Sequence, residues 1–298
     1  MGSGRTTARR HYRLFRQLAM VVIAAATFAV CASSQVRTPR MQTRAVIQTR
    51  LKSFSITDGE REKRIRNWFA GAGCDGKHLS EQALSPELLP NVICVLPGNT
   101  QEVIVVGAHT DHVDSGDGVV DNWTGTVLLP ALLYSLSAQP RHHTFVFVAF
   151  SGEEKGLVGS RYYVDHLSIG ERAQIEAMVN FDSLGLGPTK VWASHADKML
   201  LAALMKTAST VKLPISAMNV EEVGATADSE SFARYDIPRI TLHSVTQETW
   251  SILHSPSDKL DAIRIGDYYD SYKLVARYLV YLDDTLSAVK PRPVDTAR

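Results

Sequence analysis

Mainly apolar runs recur along the middle of the chain, each with the length of a buried strand. They lie at residues 103–108 (VIVVGA), 144–150 (TFVFVAF), 177–181 and 237–242. Runs with apolar residues at both odd and even positions are typical of strands covered on both faces. A further strand is predicted at residues 91–96, where NVICVL precedes a Pro-Gly-Asn turn. The pattern therefore predicts a sheet that is covered by helices.

Segments with helical spacing of apolar residues alternate with these strands. Residues 41–73 predict one or two amphipathic helices. Pro130 is expected to kink or shorten a helix at residues 124–138, because proline lacks the amide that a helix interior requires. Other helices are predicted at residues 157–167, 196–211, 229–235 and 267–286. This alternation predicts an α/β layered fold in one domain.

The N-terminus has a different character. Residues 1–16 contain five arginines and no acid, residues 18–32 are mostly apolar or small, and two serines follow. This order is typical of a secretory signal peptide, and the apolar run is shorter than the ~18 residues of a spanning helix. We predict a cleaved signal at residues 1–32 and a periplasmic or secreted protein. An uncleaved anchor through residues 18–32, or a buried helix, is the alternative.

The rest of the chain has the composition of an ordinary globular protein. It has 298 residues, of which 45% are hydrophobic and 21% charged. We predict a linker at residues 33–40, a single domain at residues 41–290 and a flexible tail at residues 291–298. Loss of the leader, with five arginines and no acid, would change the net charge from +1 to −4. That charge does not favour nucleic acid as a partner, and we expect a monomer.

Cys74 and Cys94 are the two cysteines that remain after the leader. In an oxidising compartment they can pair, and two buried free thiols are the equal alternative.

Five residues of zinc-binding types lie in five separate segments, each beside a predicted strand or a sharp turn. They are His109, Asp121, Glu154, Asp182 and His254. Two histidines and three acids are enough for two zinc ions if one acid bridges them. Glu153 would remain free for proton transfer, so the combination predicts a two-metal hydrolase. Alone, each residue has an ordinary alternative: a surface histidine, a helix cap or a solvated acid.

Together the segments GAHTDH, VVDNWTG, SGEEKGLVGS, NFDSLG, ADSESFARYDIP and LHSPSDKL resemble the zinc aminopeptidase family typified by bacterial leucyl aminopeptidases. They span residues 91–262. The resemblance implies a three-layer sandwich with a mixed, mostly parallel sheet of about eight strands. It also implies two zinc ions per chain and hydrolysis of the N-terminal peptide bond of peptides that have a free N-terminus.

The resemblance further implies a role for each site residue. His109 and Asp182 would hold one zinc ion, Glu154 and His254 the other, and Asp121 would bridge both.

Two roles would fall to residues that bind no metal. Glu153 would be the general base that takes a proton from water to give a hydroxide between the zinc ions. Asp111 would orient His109. The peptide bond from Asp121 to Asn122 would be cis.

Three positions differ from the common family pattern without removing a ligand. We expect His112 to be solvated, Trp123 to shape the substrate pocket, and Ser229 to replace a frequent histidine. Four other histidines are interpreted as solvated: His142, His143, His166 and His195.

Three other functions compete with this interpretation. A glutaminyl cyclase relative would keep one zinc and would lack the pair His109 and Asp182. A carboxypeptidase or dipeptidase would carry an inserted domain, but 71 residues separate Asp182 from His254. A receptor-like ectodomain would have lost ligands. The group that binds the substrate amine is not identified, and Glu221 and Glu222 are candidates.

Overall fold

The computed structural model describes residues 37–220 and 225–286. The chain divides into two units, Met1–Arg37 and Thr38–Arg298, and the elements below belong to the second. The predicted leader (1–32), the tail (291–298), and Glu221 and Glu222 lie outside the described residues.

One mixed sheet of eight strands forms the centre of the molecule, with the order β1-β2-β4-β3-β5-β8-β6-β7. Its strands are β1 (Leu79–Gln82), β2 (Asn91–Leu96), β3 (Val103–His109), β4 (Thr144–Phe150), β5 (Ile175–Phe181), β6 (Lys190–Val191), β7 (Ser216–Ala217) and β8 (Arg239–His243). Strands β4, β3, β5 and β8 run parallel in the middle, whereas β1, β2 and the β6–β8 pairing are antiparallel.

Helices cover both faces of this sheet. They are α1 (Arg44–Lys52), α2 (Asp58–Gly71), α3 (Thr124–Ser137), α4 (Val158–Asp165), α5 (Ile169–Gln174), α6 (Lys198–Val211), α7 (Glu230–Ala233) and α8 (Ile265–Thr285). Alternate residues of β3 enter different cores: Ile104 and Val106 pack with α1, α2, α3, α6 and α8, and Val105 packs with α4 and α7. The predicted three-layer sandwich is confirmed.

The helix that contains Pro130 runs from Thr124 to Ser137, close to the predicted range of 124–138 and without the expected shortening. Proline removes one helical hydrogen bond. Twelve of the 14 residues of α3 are buried, and this packing offsets the loss. The prediction that Pro130 shortens the helix is therefore wrong.

Cys74 and Cys94 form a disulfide that joins the end of α2 to strand β2. Both cysteines are buried. The structure thus decides between the two alternatives in favour of pairing. The disulfide cross-links the segment after α2 to the central sheet.

His143 is fully buried, so its interpretation as a solvated residue is wrong. Its Nδ1 lies 3.0 Å from Asp283 of α8, and its Nε2 lies 2.9 Å from Glu176 of β5. Burial alone would lower the pKa of His143, but these hydrogen bonds outweigh it and raise the pKa. The residue links the start of β4 to the C-terminal helix.

The other three histidines of that group lie nearer the surface. His142 and His166 are exposed, and His166 stacks on Tyr162. His195 is half-buried and stacks on Trp192.

Within the described ranges no helix is both long and apolar enough to cross a bilayer.

Candidate metal centre

The predicted ligands meet because they follow neighbouring parallel strands. His109 ends β3, Glu154 lies four residues after the end of β4, and Asp182 directly follows β5. The carboxyl ends of these strands lie on the same edge of the sheet, where ligands of open α/β sheets bind. Asp121 reaches that edge from a π-helical turn (Val119–Trp123), and His254 reaches it from the loop before α8.

Asp121 lies between the two histidines. Its Oδ1 is 3.1 Å from His109 Nε2, and its Oδ2 is 3.1 Å from His254 Nε2. Asp182 lies 3.8 Å from His109, and Glu154 lies 3.1 Å from His254. The five residues therefore form two half-sites, each with one histidine and one further acid, on either side of one carboxylate.

These donors suit a zinc ion. One atom each of His109, Asp121 and Glu154 lies within 4.8 Å of the others. Glu154 Oε1 is buried and has no hydrogen-bond partner among the described residues, although a buried carboxylate oxygen needs a donor or a cation. Histidine nitrogen and carboxylate oxygen are both zinc ligands, so the residues present fit this metal.

Asp111 supports the loop after β4. Its two carboxylate oxygens accept hydrogen bonds from the backbone amides of Glu153 and Glu154, each at 3.1 Å. Its carboxylate is 3.7 Å from His109 Nδ1, which is too long for a hydrogen bond. The backbone oxygen of Asp111, at 3.1 Å, is the partner of that ring nitrogen instead.

The turn that carries Asp121 is held from two sides. Asp258 accepts hydrogen bonds from the amides of Val120 (2.6 Å) and Asp121 (3.2 Å). The Asn122 side chain donates to Phe181 O at the end of β5, at 2.8 Å. The peptide bond from Asp121 to Asn122 is cis, as the resemblance implied. Sequence reasoning missed Asp258, although it lies in the LHSPSDKL segment four residues after His254.

Burial dominates the electrostatics of Glu153 and Asp228, and repulsion from neighbouring acids adds to it. Burial raises the pKa of Glu153 to about 9; the charge of His109 lowers it, while Asp228 and Asp182 raise it further. Asp228 was not predicted as a site residue. Its two carboxylate oxygens are buried, and they have no hydrogen-bond partner in the part of the chain that the structure describes. Burial raises its pKa to about 7. Such a cluster of buried carboxyl groups favours a bound cation.

Comparison with known proteins decides the family, since the chain matches peptidase family M28 over residues 91–279. The chain belongs to peptidase family M28. The leupeptin-inactivating enzyme 1 of Streptomyces exfoliatus is 41% identical over 99 residues, but the match covers 32% of this chain and 22% of that relative. The chain thus spans about a fifth of the length of this curated relative.

Solved structures share the fold of this M28 chain. A zinc aminopeptidase from Bacillus subtilis has a TM-score of 0.59 and 24% identity, covering 70% of this chain and 52% of its own. A glutaminyl cyclase from an Acidobacteriales bacterium has a TM-score of 0.71 and 18% identity, covering 86% and 99%. At these identities both likenesses show the fold alone.

A cavity of about 480 Å³ opens over the carboxylates of this M28 chain. Its charged wall contains Asp121, Glu153, Glu154, Asp182 and His254. Its lining also includes apolar side chains, those of Trp192, Val220, Val245, Trp250 and Leu253. The cavity therefore offers both acidic and hydrophobic groups to a ligand.

His243 contributes an uncharged polar group to the cavity wall. Burial lowers its pKa to about 4. Its Nε2 lies 3.0 Å from Met218 O, and its Nδ1 accepts from the Val245 amide. One nitrogen thus donates and the other accepts, which is the pattern of a neutral imidazole.

Two residues that differ from the family pattern face away from this cavity. Trp123 is fully buried, and its Nε1 donates to Leu51 O at the end of α1, so it does not shape the substrate pocket as expected. His112 has a side chain only 8% exposed, and its Nδ1 lies 2.8 Å from Asp58 of α2. The expectation that His112 is solvated is also wrong. Both bulky side chains fill space against the N-terminal helices.

Proposed function

We propose that the protein is an exported zinc aminopeptidase that uses two zinc ions. The observation that carries this proposal is the position of Asp121, whose two oxygens each lie 3.1 Å from a different histidine. A carboxylate placed between two histidines in this way suits a bridging position between a pair of ions.

Five residues would hold the metals. His109 and Asp182 would bind one zinc ion, Glu154 and His254 the other, and Asp121 both. Bound zinc would supply Lewis acidity, which polarises a carbonyl and acidifies water.

Glu153 would move the proton of the reaction. It would take a proton from the attacking water and give it to the leaving amine, as a general base and then a general acid. A carboxyl with a pKa of about 9 is protonated at neutral pH, but nearby dications favour its ionised form and lower that value. The Asp111 carboxylate would hold the Glu153 amide and so fix the base in the site.

The cavity favours a peptide with a free N-terminus and a hydrophobic first residue. An ammonium group is attracted to the acidic wall, where Glu153, Glu154 and Asp182 lie. The first side chain would then contact the apolar lining, which includes Trp192 and Trp250. Burial of apolar surface there stabilises the complex by about 25 cal/mol per Å².

The remaining organisation is proposed from the sequence. Residues 1–32 would direct export and be removed, with a membrane anchor through residues 18–32 as the alternative. The catalytic domain would cover residues 41–290, between a linker and a short tail, and the protein would act as a monomer in the periplasm or outside the cell.

A substrate panel tests the proposal. We expect purified protein to contain two zinc ions per chain and to hydrolyse leucine p-nitroanilide. The N-acetylated substrate should be cleaved far more slowly, and a zinc chelator should abolish turnover. Equal cleavage of both substrates, or turnover that persists after the metal is removed, would contradict the proposal.

Glutaminyl cyclisation is the alternative suggested by the fold, because the Acidobacteriales enzyme aligns over 99% of its length. The first half-site argues against it, since His109 and Asp182 are both present and lie 3.8 Å apart. One zinc per chain, together with cyclisation of a peptide that starts with glutamine, would favour this alternative over peptide hydrolysis.

A further inference from the structure

Arg61 of α2 is a fully buried arginine close to the metal centre. Helix α2 lies outside the part of the chain that matches the family, residues 91–279. Burying a guanidinium is costly unless its donors are all satisfied. Burial lowers the pKa of Arg61, and the charges of Asp58 and Asp258 raise it. A charged side chain kept in such a place needs a structural reason.

The four hydrogen bonds of Arg61 supply that reason. Its Nε donates to Ser55 O at 2.7 Å, just before its own helix. Its Nη1 donates to Thr110 O at 3.3 Å, and its Nη2 donates to Asp117 O at 2.6 Å and Gly118 O at 3.0 Å. Three of these acceptors belong to the loop that connects β3 to the π-helical turn.

That loop joins the first two metal ligands of the chain. Thr110 directly follows His109, and Gly118 lies three residues before Asp121. One planar guanidinium therefore binds both ends of the loop. Its hydrogen bonds link the strand that carries His109 to the turn that carries Asp121.

The residues next to this loop leave room for the Arg61 guanidinium or contact α2. Gly118 has a φ of 56°, and a Cβ there would lie 2.9 Å from Arg61 Nη2 and would also collide with His112. His112 in turn pairs with Asp58, one helical turn before Arg61. Trp123 packs on Trp68 of the same helix, with ring centroids 5.4 Å apart. Thus both bulky departures from the family pattern, His112 and Trp123, contact α2.

We propose that Arg61 is a positioning residue for the metal centre, and that α2 uses it to hold His109 and Asp121 at the separation that the metals require. The inference rests on the proposed function, because it assumes that these two residues bind zinc.

The test compares zinc affinity in Arg61→Ala, Arg61→Lys and the unchanged protein, by competition with a chromophoric chelator. Arg66→Ala is the matched control, since Arg66 lies on the same helix, is 57% exposed and pairs with Glu81. We expect zinc affinity to fall by about 10- to 100-fold in both Arg61 variants, as is usual for a lost supporting group, and to stay unchanged in Arg66→Ala. The absorption spectrum of the cobalt-substituted protein should change in the Arg61 variants only.

Chemical rescue separates positioning from a general loss of stability. Millimolar guanidinium should restore zinc affinity to Arg61→Ala, whereas methylammonium, which has the same charge but no planar fork, should not. The proposal is overturned if Arg61→Lys binds zinc like the unchanged protein, if guanidinium fails to restore Arg61→Ala, or if Arg61→Lys does not fold. If the unchanged protein binds no zinc, the proposed function fails instead.

Discussion

At the scale of single residues, the adjacent acids Glu153 and Glu154 have different surroundings. The Glu154 carboxylate contacts His254, while the Glu153 carboxyl lies in the cavity wall and pairs with no histidine of the described residues. The Asp111 carboxylate binds the amides of both. This difference fits the proposal that one binds metal and the other transfers a proton.

Glu153→Gln tests this division of roles. We expect the variant to keep its zinc, because the ligand set is unchanged, and to lose about 10²- to 10⁴-fold in kcat, which is the usual contribution of an acid–base group. Zinc content and the hydrolysis of leucine p-nitroanilide measure the two effects. The control is Glu60→Gln, at a side chain that is 52% exposed. A variant that turned over at the normal rate would show that Glu153 is not the base.

Residues were predicted well where their role depends on a local segment. The five ligand candidates each follow a strand or precede a turn, and the structure brings them together. His143 and Trp123 were interpreted wrongly because their partners are distant: Asp283 lies 140 residues from His143, and Leu51 lies 72 residues from Trp123. The burial of Arg61 was not predicted, because the sequence pattern of an amphipathic helix does not distinguish a buried arginine from an exposed one.

At the scale of elements, the central strands were predictable because burial on both faces places apolar residues at both odd and even positions. Strands β6 and β7 have two residues each, which is too short for any periodicity. Strand β1 reads LSEQ and has no buried residue, so it carries no apolar signal either. Pro130 does not shorten α3 as expected, because the tertiary packing of the helix outweighs the local effect of the proline.

The disulfide between Cys74 and Cys94 gives a prediction about the N-terminal helices. The bridge closes a loop with a sequence separation of 20, and the chain-entropy model assigns about 3 kcal/mol of stabilisation to such a loop. We expect Cys74→Ala/Cys94→Ala to lower the free energy of unfolding by about that amount in urea titrations. The unchanged protein treated with a reductant should lose a similar amount. If the double variant were as stable as the oxidised protein, the bridge would not anchor α2.

At the scale of the whole molecule, the acid-rich centre makes stability depend on metal and pH together. Burial raises the pKa of Glu153 to about 9, and hydrogen bonds to Asp121 and Glu154 raise that of His254 to about 10. In the unfolded chain these groups titrate near 4.3 and 6.5. At a pH above the pKa values of the unfolded chain and below those of the folded protein, these two groups bind more protons in the folded state. The free energy of unfolding therefore falls as the pH rises through this range.

We therefore expect the metal-free protein to unfold at a progressively lower temperature as the pH is raised from about 5 to 8. Zinc competes with the protons and stabilises the folded state by mass action, so the gap in melting temperature between zinc-loaded and chelated protein should widen over the same range. Over the same pH range, the melting temperature of metal-free Glu153→Gln should fall less than that of the unchanged metal-free protein, because glutamine does not titrate. A melting temperature of the chelated protein that does not fall with pH would contradict this account.

Part of the apolar lining of the cavity lies at the edge of the sheet, away from the strands that carry the acids. Glu154 and Asp182 follow the central parallel strands β4 and β5, whereas Val220 lies just past the two-residue edge strand β7. A replacement of Val220 would change this lining while the registers of the four parallel strands stay the same. Under the proposed function, the preference for the first side chain of a substrate could therefore be redesigned at the sheet edge while the ligand candidates keep their positions.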